Sequence, residues 1–175
     1  MKAIVKIVLI LSLMALLFVM VGCTSLAERQ TEQAGSPPVI THSFAAEKLS
    51  HGDIWKVYLE ANDPDGDMRR IVYSISNGGS GHGFRSFVIK KGNRAGLLGY
   101  LNCSFSSPVT AVAEWTELTL TVYIRDKGGN ISNKVVFPLT LTRGVKQEPP
   151  PPPFDKGGLK GLGAFWVKLY DPIDG

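Results

Sequence analysis

The stretch Leu118–Arg125 reads LTLTVYIR, and its apolar positions alternate with Thr119, Thr121 and Tyr123. A period of two places successive side chains on opposite faces of an extended chain. One face of such a segment is suited to a core and the other to solvent. The stretch therefore predicts a half-buried β-strand, and the recurrence of the same pattern elsewhere decides the fold class.

The alternation recurs along the middle of the chain, for example at Trp55, Val57, Leu59 and Ala61. Short turns separate the alternating segments, and no segment has the period of an amphipathic helix. The pattern predicts an all-β fold, an antiparallel β-sandwich of about seven strands. The expected strands are Val39–Phe44, Ile54–Ala61, Arg69–Ile75, Phe84–Lys90, Ala95–Phe105, Leu118–Arg125 and Val135–Leu141. The connection Ser106–Trp115 is ambiguous, and a short helical turn is one alternative there.

Two turns resemble those of a known class of domain. Ala61–Asp67 (ANDPDGD) is similar to the "A-x-D-x-D-G-D" turn of bacterial immunoglobulin-like and cadherin-like repeats. Val122–Ser132 resembles the final hairpin of the same modules, with its "D-x-x-G-N-x-S" turn. The resemblance spans about 37–143 and implies an immunoglobulin-like sandwich. It implies little about function, because this architecture carries many unrelated roles.

The first residues have the pattern of an export signal. Two lysines precede Ile7–Val21, an apolar run of 15 residues interrupted only by Ser12. A membrane-spanning helix needs about 20 residues, so the run is too short to span. A basic start, a short apolar helix and a small residue before a cleavage point are typical of a secretory signal peptide.

Met20-Val21-Gly22-Cys23 resembles the lipobox of bacterial lipoproteins, with Met20 where the family prefers leucine. The resemblance implies a signal peptide over 1–22, cleavage before Cys23, and lipidation of Cys23 by diacylglycerol and an amide-linked acyl chain such as palmitate. Several acyl chains anchor more firmly than one. The alternative is an ordinary cleavage that leaves Cys23 as a free thiol. Residue 24 is Thr, which resembles the pattern sorted to the outer membrane.

The remaining boundaries follow from composition. Residues 23–36 are polar and lack aromatics, so they are expected to form a flexible tether. The sandwich is assigned to 37–143. Residues 144–175 begin near five consecutive prolines and are expected to be a disordered Pro-rich tail. A docking segment is the alternative for this tail, whose "FDKGG" stretch also resembles translated intergenic repeats.

Charge and cysteine content narrow the functional classes. Without Lys2 and Lys6 the chain has 17 bases and 15 acids, with no dense basic stripe of the kind that nucleic-acid binding requires.

Cys103 is the second of two cysteines. It alternates with Leu101 and Phe105, so a buried position is expected, and intermolecular pairing is the alternative.

The acidic turn is the candidate site. In an immunoglobulin topology the loop that contains Asp63, Asp65 and Asp67 lies at the same pole as the loop that contains Asp126 and Asn130. Five oxygen-bearing side chains could then converge, and calcium takes six to eight oxygen ligands. The alternative is that these residues simply form good turns. No other cofactor is expected, and the three histidines share no zinc-ligand spacing.

No constellation of residues fits a known catalytic motif, so the chain is expected to be a non-catalytic lipoprotein. Its lipid anchor on Cys23 would hold it in the cell envelope, at the outer membrane in a periplasmic or surface-facing position. The Ig-like module would bind an envelope protein or a glycan, with Tyr58 and Tyr123 as candidate surface aromatics. One alternative is a structural accessory subunit that pairs at a sheet edge or cross-links through Cys103. A small hydrolase with an unrecognised site is another.

Overall fold

A computed structural model describes residues 35–77, 80–81, 83–106 and 116–169, all within one contact unit spanning Gln33–Gly175. The predicted signal peptide, Cys23 and most of the tether lie outside the described residues, as does most of the connection after Ser106. Within the described ranges, no helix is long and apolar enough to cross a membrane.

The described residues form an all-β, immunoglobulin-like sandwich of two sheets. The first sheet has the strand order β1-β3-β7-β10, and the second has β2-β9-β8-β4, with β5 and β6 both on the outer edge of β4. A short 3₁₀ helix, Lys91–Asn93, follows β6. The strands are β1 Val39–Ala45, β2 Lys48–Ser50, β3 Trp55–Asn62, β4 Arg70–Asn77, β5 Ser80–Gly81, β6 Arg85–Val88, β7 Gly96–Ser106, β8 Thr116–Arg125, β9 Val135–Thr142 and β10 Lys160–Lys168.

Each of the seven strands expected from the sequence is present, with ends that differ by a few residues. The chain alternates between the sheets as in immunoglobulin domains: β1, β3 and β7 occupy the positions of strands A, B and E, and β4, β8 and β9 those of C, F and G. The period-two pattern explains the core, because Leu120, Val122 and Ile124 of β8 are fully buried and belong to one hydrophobic cluster with the inner residues of β3.

Cys103 lies in this core, as the sequence predicts, with no exposed surface. Burial raises the pKa of its thiol far above the usual range. A thiol that is both inaccessible and protonated is a poor nucleophile. Intermolecular cross-linking through Cys103 would therefore require the sandwich to open.

The expectation of a disordered tail is wrong for residues 160–168. These residues form β10, which pairs with β7 along its length, from Lys160 opposite Gly99 to Lys168 opposite Ser106. The physical reason is that Phe165 and Val167 alternate with exposed neighbours and are buried. The edge of β7 is also available, because β6 pairs with β4 in the second sheet. Strand β10 thus takes the position beside strand E that strand D holds in constant-type immunoglobulin domains.

The sheets are mixed, whereas an antiparallel sandwich was expected. Strand β10 runs parallel to β7, and β2 runs parallel to β9. The parallel direction of β10 requires the preceding segment to return along the molecule. Phe154 in this segment is buried on the outer face of the first sheet, where its ring lies 5.4 Å from that of Tyr58.

Glycines allow β10 to approach its neighbours closely. A Cβ atom on Gly99 would lie 2.3 Å from the carbonyl oxygen of Lys160, and one on Gly163 would lie 2.8 Å from the ring of Phe87. Both distances are shorter than a van der Waals contact allows. Any side chain larger than hydrogen at these two positions would push β10 away from β7 or β6.

The packing of β10 predicts different effects for two adjacent aromatic residues. Phe165 is buried, with its ring 4.3 Å from that of Tyr73, whereas Trp166 is 76% exposed. Phe165→Ala is expected to lower the free energy of unfolding by about 3–5 kcal/mol, since it leaves a cavity in the core. Trp166→Ala, the matched control, is expected to change it by less than about 0.5 kcal/mol. Urea denaturation measures both, and equal values would contradict the position of β10.

Candidate functional site

The two loops that carry the predicted site residues lie at one end of the sandwich, as the sequence predicts. The loop between β3 and β4 contains Asp63, Asp65 and Asp67, and the loop between β8 and β9 contains Asp126 and Asn130. We call these five residues the acidic pole. The loops meet because β4 and β8 pair antiparallel, with Arg70 opposite Arg125. The residues that precede Arg70 are therefore neighbours of those that follow Arg125.

Asp63 closes the first loop. Its carboxylate accepts the backbone N–H groups of Asp65 at 3.0 Å and Asp67 at 3.2 Å, one on each oxygen. The residue is only 3% exposed, and its own N–H donates to the carbonyl of Ala95 at 2.9 Å. This arrangement is an aspartate-capped turn, in which the side chain supplies the acceptors that the turning backbone lacks.

Asp126 closes the second loop in the same manner. Its carboxylate accepts the backbone N–H and the side-chain Nδ2–H of Asn130, both at 2.7 Å. The two residues are 3% and 5% exposed. Hydrogen bonds to a buried carboxylate are among the stronger ones in proteins. Asp126 and Asn130 therefore act together as a structural pair.

Asp67 is the electrostatically strained member of the pole. Burial is the largest cause that raises the pKa of its carboxyl group, followed by the negative charges of Asp126 and Asp63; a hydrogen bond from the backbone N–H of Lys127 acts in the opposite direction. Its Oδ1 atom is buried and has no hydrogen-bond partner. The folded protein thus stabilises the ionised form of Asp67 less than the unfolded chain does.

The structure brings Asp63, Asp67 and Asp126 close together but uses their oxygens differently from a calcium loop. Calcium binds through six to eight oxygens that converge on one point. Within the described residues, no group of three or more histidine, cysteine, aspartate or glutamate side chains is arranged to hold a metal ion. Asp63 and Asp126 instead accept backbone N–H groups of their own loops, as expected if these residues serve to form the turns. Calcium binding at the acidic pole stays a prediction.

The acidic pole also holds the end of the tether. The backbone N–H of Ser36 donates to Oδ2 of Asp65, and Nδ2 of Asn130 donates to the carbonyl of Gly35 at 3.4 Å. Further along, the side chain of Asn133 makes two hydrogen bonds to the backbone of Ile40, at 2.9 and 3.1 Å. The chain thus enters the sandwich at the pole where the two acidic loops lie.

The two aromatic residues that the sequence suggested for a surface patch lie on different sheets. Tyr58 in β3 is 9% exposed, since the rings of Phe44, Tyr100 and Phe154 lie against it. Burial, with a further contribution from Tyr100, raises its pKa. Tyr123 in β8 contacts the exposed ring of Phe84, with the centroids 6.2 Å apart. Tyr58 and Tyr123 therefore cannot contribute to one glycan-binding surface.

A groove that the sequence did not reveal opens on the side of the sandwich between β10 and the outer edge of β4. Its volume is about 420 Å³. We call it the lateral groove, and it is lined by Tyr73, Ile75, Gly83, Arg85, Ser106, Phe165, Trp166, Val167 and Lys168. The floor consists of core side chains, with the rings of Tyr73 and Phe165 in contact, and the rim carries two cations.

The lateral groove lies in the half of the sandwich away from the acidic pole. Near the acidic pole, β6 and β10 close against each other, because the ring of Phe87 lies over Gly163. Strand β6 pairs with β4 over 70–73, and β5 pairs with it at Ser76 and Asn77. Ile75 lies between these two pairings, and its side chain lines the groove although it is only 4% exposed. The guanidinium of Arg85 opposes the burial that raises the pKa of Tyr73, which places the positive charge beside the floor of the groove.

Comparisons with known proteins identify no family for this chain. No family model and no curated protein matches it. Solved structures with some likeness include the PKD domain of an M14-like peptidase from a Thermoplasmatales archaeon. That domain has 16% identity and a TM-score of 0.36, with 63% of this chain and 100% of the domain covered.

The CARDB domain of a Pyrococcus furiosus protein, solved in complex with di-metal ions, has 5% identity and a TM-score of 0.34. The match covers 61% of this chain and 93% of that domain. At these scores neither likeness supports an inference about ligand or activity. The fold assignment is based on the pairing and order of the strands.

The raised pKa of Asp67 predicts a pH-dependent stability. Because the folded state binds this proton more tightly than the unfolded state, the stability falls as pH rises from the unfolded pKa through the folded pKa. Asp67→Asn removes the charge, so it is expected to raise Tm at pH 7. The difference from the wild type should shrink as the pH falls below about 3.9. Thermal melts monitored by circular dichroism over this range measure the effect.

Asp155→Asn, on an exposed turn, is the matched control and should leave Tm unchanged at both pH values. A lower Tm for Asp67→Asn at pH 7 would show that the ionised carboxyl group is needed for stability. Melts with added calcium and with chelator complete the test. A calcium-dependent rise in the Tm of the wild type that is absent from the variant would identify the pole as a cation site.

Proposed function

We propose that the chain is a non-catalytic lipoprotein of the cell envelope, in which acyl chains on Cys23 anchor an immunoglobulin-like binding module. The lateral groove is the binding surface. The partner is an extracytoplasmic molecule, and the chain presents the groove to it at the end of a short tether. The observation that carries this proposal is the groove itself, a cavity of about 420 Å³ with an apolar floor and a basic rim.

Features of both composition and shape support binding at this groove. Ligand sites in proteins are concave and largely apolar, with a few polar groups that orient the ligand. The lateral groove has an aromatic floor of Tyr73 and Phe165 and polar groups from Arg85, Ser106 and Lys168 at its rim. Its volume lies within the range of about 300–1,000 Å³ that is typical of ligand pockets.

The placement of the groove agrees with a membrane anchor at the other end of the domain. The tether enters at the acidic pole, where Ser36 bonds to Asp65. Strand β4 runs from Arg70 at that pole to Asn77 at the opposite one, a length of about 23 Å at roughly 3.3 Å per residue. A groove beside Ile75 therefore lies away from the point where the tether joins the sandwich.

The structure disfavours the two alternative functions, a cross-linked structural subunit and a hydrolase. A structural subunit cross-linked through Cys103 is disfavoured, because that thiol is fully buried. A hydrolase would need an acid or base in the cavity, and among the residues that the structure describes, those that line the cavity include no carboxylate and no histidine. Asp67, the described carboxyl group with a raised pKa, lies at the acidic pole instead.

The anchor predicts a modified mature amino terminus. Mass spectrometry of the chain extracted from membranes is expected to find Cys23 as the first residue, with a diacylglyceryl group on Sγ and an acyl chain on its amine. Cys23→Ser is expected to abolish both modifications and release the chain from the membrane. Cys103→Ala is the control and should remain anchored, since that cysteine is in the core. An unmodified wild-type chain in the soluble fraction would overturn the anchor.

The groove predicts charge-dependent retention of envelope components. Arg85→Glu with Lys168→Glu is expected to weaken retention about tenfold in a quantitative co-sedimentation assay with native envelope extract. The matched control reverses Lys48 and Lys146, two exposed cations in the half of the sandwich away from the acidic pole, on the side where β2 pairs with β9. All variants should keep the Tm of the wild type. Equal retention by the groove variant and the wild type would place the binding surface elsewhere.

A further inference from the structure

The free edge of β10 borders the lateral groove. Among the described strands, β10 pairs with β7 alone. Leu169 donates its backbone N–H to the carbonyl of Ser106 at 3.0 Å, on the β7 side. Because successive residues of a strand direct their backbone polar groups to opposite sides, the N–H and C=O groups of Trp166 and Lys168 face away from β7. Because no described strand pairs with this side of β10, these groups form a free hydrogen-bonding edge along the rim of the groove.

Side chains of an added strand would find a suitable surface beside this edge. A strand that pairs with β10 directs every second side chain toward the interior of the sandwich. There it meets Tyr73, Ile75 and the inward-facing Phe165 and Val167, which form the apolar floor. Strand addition of this kind combines backbone hydrogen bonds with pockets for alternate side chains.

The positive charge at the rim of the groove favours a negatively charged ligand. Arg85 and Lys168 line the groove, and within the described part of the chain no acidic residue lines it. Trp166 is 76% exposed on the outer face, beside the same edge, where it can cover the backbone of an added strand. The complementary ligand is therefore an extended chain that places apolar side chains inward and carries carboxylates.

We infer that the lateral groove binds an extended acidic segment of a partner protein, which adds as a strand to the free edge of β10 at Trp166–Lys168. Apolar side chains at alternate positions of this segment fill the groove, and its carboxylates pair with Arg85 and Lys168. The inference depends on the proposed function and specifies the ligand of the same groove.

A polypeptide fits these observations better than a glycan does. The open groups on β10 are backbone donors and acceptors at strand spacing, which another backbone matches in register. An uncovered strand edge is also a site of uncontrolled pairing, which proteins usually block with charge or with a covering element. Within the described ranges no strand covers this edge, whereas the opposite side of β10 is fully paired with β7.

The experiment uses the full mature chain and three synthetic probes. The first is a six-residue peptide of alternating glutamate and valine with blocked ends. The second is the same peptide with N-methyl groups on alternate residues, which blocks backbone pairing and keeps the charge. The third is an oligogalacturonate of similar charge. Binding is measured by tryptophan fluorescence and by amide hydrogen exchange followed by NMR.

The expected result is that the first peptide binds, slows exchange of the Trp166 and Lys168 amides at least about tenfold, and leaves buried β8 unaffected. The N-methylated peptide should not slow this exchange. Arg85→Gln with Lys168→Gln should weaken binding about tenfold, whereas Lys48→Gln with Lys146→Gln should not. Each of these variants is expected to retain the wild-type Tm.

Other outcomes overturn the inference in separable ways. Equal binding by both peptides, without slowed exchange at β10, would exclude strand addition. Binding of the oligogalacturonate alone would identify an acidic glycan as the ligand. Pairing of a second copy at β10, seen as a concentration-dependent rise in mass that the peptide does not reverse, would assign the edge to self-association. If the charge-reversed groove still loses envelope retention while no peptide binds, the proposed function stands and the strand-addition mode fails.

Discussion

The pairing of β10 with β7 is the interaction on which the described structure depends most. It supplies the fourth strand of the first sheet, and it brings Phe165 and Val167 over the core between the sheets. Without β10, the inner residues of β7 and the ring of Tyr73 would lose their cover on that side. Strand β10 closes against β6 where Phe87 lies over Gly163, and the lateral groove lies between β10 and the edge of β4 in the other half of the sandwich.

The acidic pole illustrates how carboxylates can be structural. Asp63 and Asp126 are nearly fully buried, and each accepts two hydrogen bonds from its own loop. These bonds compensate for the loss of hydration, which would otherwise make a buried carboxylate unfavourable. Asp67 has less compensation, and its raised pKa is the electrostatic consequence. Asp65, which is exposed, contacts the incoming tether instead.

The two ends of the domain are thus suited to different tasks. At the acidic pole, side chains hold the loops and the end of the tether in place. In the other half, buried core side chains form the floor of a groove, and an edge of backbone donors and acceptors borders it. An anchored binding module needs this separation, because a surface next to the tether would be obstructed by the membrane that we propose it leads to.

The sequence by itself determined the two-sheet fold, because the period-two alternation in residues such as Leu120 and Val122 is local and has one consistent interpretation. It also placed the two acidic loops at one pole, since loop order in an immunoglobulin topology fixes which loops are neighbours. The same alternation is present at Phe165 and Val167, but the neighbouring prolines favoured disorder. Only the tertiary structure decided that this segment pairs with β7, because the available edge depends on where β6 pairs. The groove likewise joins residues as distant as Tyr73 and Lys168, and no local pattern can encode that proximity.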